Sequence, residues 1–233
     1  MPEAELKKKS PLPEGTISIA VGMGIGAITA YISVILINKT VGDQAYAGFG
    51  AFWSLIFVVG PGLFLPLEQE IARAVSHRLA RKDGSKPFLR LAFTIAMFIA
   101  LSVGAIFAAF SPLFINHVFH HNGQLQIGFI IGIIAFAFLH CSRGIYSGNH
   151  NFNAYGASLA AEGTIRFLIV LALVLLDVKD VGNYGIAMGI TPVLAVIPFI
   201  WLIKKLNTEG SQASKKELGT ALSFLVTSSL LSQ

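Results

Sequence analysis

Charge is scarce in this chain. Only 12% of its 233 residues are Asp, Glu, Lys or Arg, against about 25% in soluble domains. Cysteine is scarcer still. Cys141 stands alone, so the chain can form no intramolecular disulfide. Catalytic signatures are missing as well. There is no GxxxxGK[ST] loop for ATP and no HExxH, CxxC or GxSxG segment. Neither a cofactor nor an enzymatic activity is expected. The net charge of +5 does not point to nucleic acid, because no basic-aromatic stretch lies outside the apolar segments.

What the chain does have is apolar length, since 54% of its residues are hydrophobic. Apolar stretches run over 16–38, 46–66, 91–112, 126–142, 154–176 and 183–203, with the fourth helix continuing to 147. Most approach the ~20 residues that an α-helix needs to cross the hydrocarbon of a bilayer. The first is longer than a signal-peptide core and no small-x-small cleavage site follows it, so it is expected to stay. The cations alternate across the spans. One side collects Lys7, Lys8, Lys9, Arg73, Arg78, Arg81, Lys82, Lys86, Arg90, Arg143, Lys204, Lys205, Lys215 and Lys216, whereas the other holds Lys39 and Lys179. Fourteen against two predicts a multi-pass protein of the cytoplasmic membrane with its N-terminus in the cytoplasm. The excess would also attract anionic inner-leaflet lipids.

The predicted fold class is an all-α integral membrane bundle of six helices plus the start of a seventh. Residues 1–15 read as a cytoplasmic tail, 16–205 as the six-span lobe, 206–217 as a linker and 218–233 as a seventh helix cut short. Gly22 and Gly26 sit four apart, which suits close helix packing. Gly60-Pro61-Gly62 should kink or break the second span, and Pro192 and Pro198 should bend the sixth. Leu67, Ile71, Val75 and Leu79 recur every four residues over 67–82, predicting an amphipathic helix on the inner membrane surface or a solvated connector. His117, His120 and His121 crowd one loop, but no Cys, Asp or Glu accompanies them, so no metal site is expected.

The strongest chemical signal is in the fifth span, where Glu162 and Arg166 stand at i, i+4. They lie roughly 12 and 18 Å into the span at 1.5 Å per residue. A charge at such depth costs at least ~2.5–3.5 kcal/mol, so both should face the bundle interior or a wet cavity. They read as a lumen pair meeting an anionic substrate or as an ion pair locking helices. His140-Cys141-Ser142-Arg143 ends the fourth span, where Arg143 could snorkel or line a cavity. Glu68, Glu70 and Arg73 follow the second span. Glu162 reads as the sole carboxylate well inside a span, which argues against cation-coupled export. A basic interior suits a phosphate-bearing cargo.

Two segments carry a resemblance. Leu65-Pro-Leu-Glu-Gln-Glu-Ile-Ala-Arg73 closes the second span. Arg143-Gly-Ile-Tyr-Ser-Gly-Asn-His-Asn-Phe152 is followed by Leu159-Ala-Ala-Glu-Gly-Thr-Ile-Arg166. Both resemble polysaccharide-type flippases of the multidrug/oligosaccharidyl-lipid/polysaccharide (MOP, MATE-like) superfamily. The resemblance implies an N-terminal lobe that joins a second transmembrane lobe around a V-shaped cavity and flips a polyprenyl-linked glycan by alternating access. It places Arg166, Glu162, Arg143, Glu70 and Arg73 as substrate-binding residues, the first two in the cavity and the others near its cytoplasmic mouth. A cation-coupled drug antiporter, or a structural subunit of a glycan-synthesis complex, are the alternative readings.

Overall fold

A computed structural model describes residue 13 and residues 15–213; most of the expected tail and the whole 218–233 stretch lie outside the described residues. Short polar side chains start three of the helices. Asn122 accepts a hydrogen bond from the Leu125 amide (3.1 Å), Asn151 from Ala154 (3.1 Å) and Asp180 from Gly182 (2.9 Å), each satisfying a donor that the first helical turn leaves open. Uncharged Leu, Ile, Val, Ala and Phe then carry each helix to the next polar turn.

The elements are α1 (Thr16–Val41), α2 (Asp43–Ala80), α3 (Lys86–Ala109), a short α4 (Ser111–His117), α5 (Gly123–Gly148), α6 (Phe152–Leu175), α7 (Val181–Val196), a 3-10 turn (Ile197–Phe199) and α8 (Ile200–Leu206). Among the described residues, six helical stretches are long and apolar enough to cross a membrane: α1, α2, α3, α5, α6 and the α7–α8 run. The fold of the described residues is all-helical. Large apolar side chains such as Val21, Ile28, Val58, Phe98, Leu168 and Trp201 are exposed on its outside, as a lipid-facing belt requires.

Helix α5 is the axis of the bundle. Eighteen of its 26 residues are buried, with α2, α3 and α7 packed around it, while α1 packs chiefly on α6. Small residues set the closest approaches. A Cβ on Gly189 of α7 would stand 2.1 Å from the Gly128 carbonyl oxygen of α5, so the two backbones are effectively in contact. Phe49, Phe52, Phe64, Phe119 and Phe129 are fully buried in the core.

Two expectations change here. First, α2 is one unbroken helix of 38 residues, about 57 Å long. Pro61 and Pro66 lie within it. Packing against α5 holds the helix across the missing donors, and Gly60 makes room for the Phe136 ring, 2.7 Å from where a Cβ would sit. Second, 67–82 is not a separate surface helix. Leu67, Ile71 and Val75 are buried. Ile71 and Val75 fit against Gly144 and Gly148 of α5, where a Cβ would come within 2.7 and 2.6 Å of theirs. Leu79, the last of the four, is exposed, so the four-residue spacing marked a face buried against another helix only from Leu67 to Val75. In the sixth span, Pro192 stays helical and the chain departs from α-helix at the 3-10 turn containing Pro198.

Candidate functional site

Two buried polar clusters lie between α2, α5 and α6. The first joins three of the sequence candidates. Glu162 sits about 15 Å from the start of α6. Its Oε2 accepts from Arg143 Nη2 on α5 at 2.9 Å, and its Oε1 from Arg166 Nη1 at 3.3 Å. Exposure of the three residues is 9, 5 and 5%. Arg143 does not snorkel out of the bundle. A helical Cβ tilts toward the helix N-terminus, which directs this side chain away from the Gly148 end and into the interior. Ser158 Oγ accepts from its Nε at 3.2 Å.

Arg166 also donates to the Gly26 carbonyl of α1 at 3.1 Å. Its guanidinium lies 5.7 Å from the Trp53 ring centre and 5.6 Å from that of Phe57, both on α2, within cation–π range. Its Nε is buried with no hydrogen-bond partner among the described residues. Glu162 and Arg166 therefore bond as their spacing allows, but Glu162 serves a second arginine that spacing could not reveal. Two guanidiniums share one carboxylate, leaving one net positive charge. A void of about 10 Å³ adjoins Glu162 and Arg166, bounded by Phe57, Phe136 and Thr191. In this arrangement the pair is enclosed within the helical bundle.

Glu70 and Arg73 form a separate pair. Arg73 Nε and Nη2 reach the two Glu70 oxygens at 2.8 and 2.6 Å. The Glu70 side chain is fully buried and that of Arg73 is half exposed.

The second cluster is one that sequence reasoning did not assemble. Glu68 Oε2 lies 2.6 Å from His140 Nδ1, and Tyr155 Oη donates to Glu68 Oε1 at 2.7 Å. Glu68 and His140 are 4 and 5% exposed. Glu162 is thus not the sole interior carboxylate, because Glu68 and Glu70 are buried as well. A signal was present: Phe64, Glu68, Ile71, Val75 and Arg78 keep helical spacing along the buried stripe of α2, and two of the five are charged.

No family model matches the chain. Uncharacterized proteins of Mycobacterium bovis and Mycobacterium tuberculosis are 21% identical over 168 residues, which is 70% of this chain and 38% of theirs. The fold is similar to that of a multidrug resistance MATE family transporter of the MOP superfamily in an outward-facing conformation (TM-score 0.77, 16% identity, 92% of this chain and 50% of that one). It is also similar to a MOP superfamily transporter from Pyrococcus furiosus (TM-score 0.74, 16% identity, 93 and 52%). A MATE structure in complex with MaD5 superposes equally well (TM-score 0.77, 16% identity, 92 and 52%). The chain spans about half the length of these transporters. It is a multi-pass membrane protein with a MATE-like fold.

Proposed function

We propose that this chain forms one lobe of a transporter that flips a lipid-linked oligosaccharide or polysaccharide precursor across the cytoplasmic membrane. Its cation-rich end would lie in the cytoplasm. The observation that carries the reading is that Arg143 and Arg166 share one carboxylate, Glu162, while Arg166 Nε has no partner among the described residues. Guanidinium groups bind phosphate through paired N–H donors. A polyprenyl-linked glycan carries phosphate at its head, next to a tail that can remain in lipid.

In this mechanism Trp53 and Phe57 cover Arg166 when no cargo is bound. Rocking against a second transmembrane lobe uncovers it, and the cargo's phosphate takes the position that Glu162 does not fill. Arg143 holds Glu162 so that Arg166 remains exchangeable. Glu70 and Arg73 lie toward the cytoplasmic mouth. Arg166→Ala is expected to abolish cargo export at unchanged protein level, and full export by this variant would remove Arg166 from the mechanism.

A cation-coupled drug antiporter is the second reading, favoured by the buried Glu68 and by the fold shared with a multidrug transporter. Transport that follows an ion gradient and ignores the supply of polyprenyl lipid would decide for it.

A further inference from the structure

Helices α3 and α8 both pack on α5. Among them, at the cation-rich end of the bundle, lies a cavity of about 400 Å³. That is within the range of about 300–1,000 Å³ common for ligand sites. Lys86, Leu89, Arg90 and Phe93 of α3 line it, and Phe138, Cys141, Ser142 and Ile145 of α5 face them. Both sets fall at i, i+3, i+4 and i+7, so each helix turns one whole stripe to the cavity.

The lining is graded along its length. Lys86 opens α3 and Arg90 follows one turn later. Phe93 meets Phe138 edge-on at 4.9 Å, about 10 Å along the helix from Lys86. One end is therefore cationic and the other aromatic. The cations are open to exchange. The Lys86 ammonium pairs with Glu209, whose side chain is 80% exposed, and exposed pairs of that kind are weak. Arg90 is exposed and has no carboxylate partner among the described residues. Residues four apart on a helix stand about 5–6 Å apart at Cβ, a gap that one phosphate can bridge. From α8, Asn207 also lines the cavity, and its Oδ1 is buried with no hydrogen-bond partner among the described residues.

We propose that this groove holds one anionic phospholipid. Its phosphate sits between Lys86 and Arg90, an acyl chain runs inward along Leu89, Phe93 and Phe138, and a headgroup hydroxyl donates to Asn207 Oδ1. A soluble anion would use the cations but not the apolar wall, and a neutral lipid would use the wall but not the cations. Anionic lipid is enriched in the cytoplasmic leaflet, on the side that the proposed orientation gives this end. The bound lipid joins α3 to α8 beside the hydrogen bond from the Lys86 amide to the Thr208 carbonyl (3.0 Å). The proposal needs a membrane but no transport.

The test is native mass spectrometry of the full chain in detergent, offered phosphatidylglycerol or phosphatidylcholine. The wild type is expected to keep one phosphatidylglycerol in preference to phosphatidylcholine. Arg90→Gln removes an exposed side chain without an ion pair and should fold. It should cut the preference about tenfold, the worth of one charge-assisted contact. Adding Lys86→Gln should abolish it. Lys204→Gln with Lys205→Gln removes the same charge from α8 outside the cavity and should leave the preference intact. Glu209→Gln should keep or raise it. Circular dichroism checks that each variant is helical. Equal retention of both lipids, or equal loss in the two double variants, overturns the proposal. So does a wild type that keeps no lipid, the result expected if residues 214–233 or a second copy fill the groove. Release by millimolar inorganic phosphate would give the site to a soluble anion. Displacement by an equal amount of polyprenyl phosphate would give it to the proposed cargo, so either result also overturns a resident phospholipid. If phosphatidylglycerol is held as described while no glycan precursor is exported, the transporter reading fails and the lipid site stands.

Discussion

Gly22 of α1 rests on the backbone of Gly156 of α6: a Cβ added to Gly22 would lie 2.2 Å from the Gly156 carbonyl oxygen. A Cβ on the neighbouring Gly24, half a turn away, would meet nothing within 4 Å among the described residues. At Gly22 the α1–α6 interface is therefore a backbone-to-backbone contact with no room for a side chain, whereas Gly24 faces open space.

This contrast gives a paired prediction. Gly22→Leu must push α1 off α6, because the obstructing atom is main chain and cannot rotate away. Overpacking typically costs 1–3 kcal/mol, and this variant should fall at the upper end, about 3 kcal/mol or more. Gly24→Leu should be close to neutral. Thermal unfolding in detergent measures both, and equal losses would show that the interface is looser than described.

Glu162 should matter more than either arginine. Glu162→Gln leaves Arg143 and Arg166 buried without a counter-charge. Removing one partner of a buried pair costs about 3–5 kcal/mol. Arg143→Gln leaves Glu162 with Arg166 and should cost less. Chemical denaturation of the two variants orders them, and the reverse order would contradict the shared-carboxylate geometry.

The loop after α2 is fastened to the segment after α8. Arg78 donates to the carbonyls of Gly84 and Ser211, both at 2.9 Å. Asp83 accepts from the Ser211 hydroxyl and, at 2.8 Å, from the Ser211 amide. The Ser211 hydroxyl bond is the main cause holding the Asp83 carboxyl below its ordinary value of 3.8, helped by the Ser211 amide and the Arg78 guanidinium. A depressed folded value means the link is at full strength above about that ordinary value and weakens as pH falls through the lower folded one. Hydrogen exchange at the amide of Ser211 should therefore accelerate in acid beyond its intrinsic trend, and Asp83→Asn should remove that dependence. A Cβ on Gly84 would stand 1.8 Å from the Glu209 carbonyl oxygen, so Gly84→Ala should open the same link at neutral pH.

The span pattern, and with it the fold class, was legible because hydropathy and cation placement are one-dimensional signals. The buried site was legible only in part. Glu162 and Arg166 share a helix, so spacing joined them. Arg143 reaches Glu162 from another helix, and Glu68 meets His140 across 72 positions of sequence; no local pattern encodes either meeting. The geometry also changes what a charge swap can show. Exchanging Glu162 and Arg166 would set Arg143 against an arginine, so the exchange is expected to destabilise the bundle whether the cluster binds cargo or only braces helices. Loss of function in that variant would not separate the two, whereas Arg166→Ala with protein level monitored would.

The unbroken α2 has one more consequence. At about 57 Å it is nearly twice the ~30 Å hydrocarbon thickness. Trp53 and Phe57, which face Arg166, and Glu68 and Arg78 farther along therefore belong to one continuous helix. The part of α2 beyond a single membrane crossing, where Arg78 binds the Gly84 loop, is thus joined without a break to the part that meets Arg166.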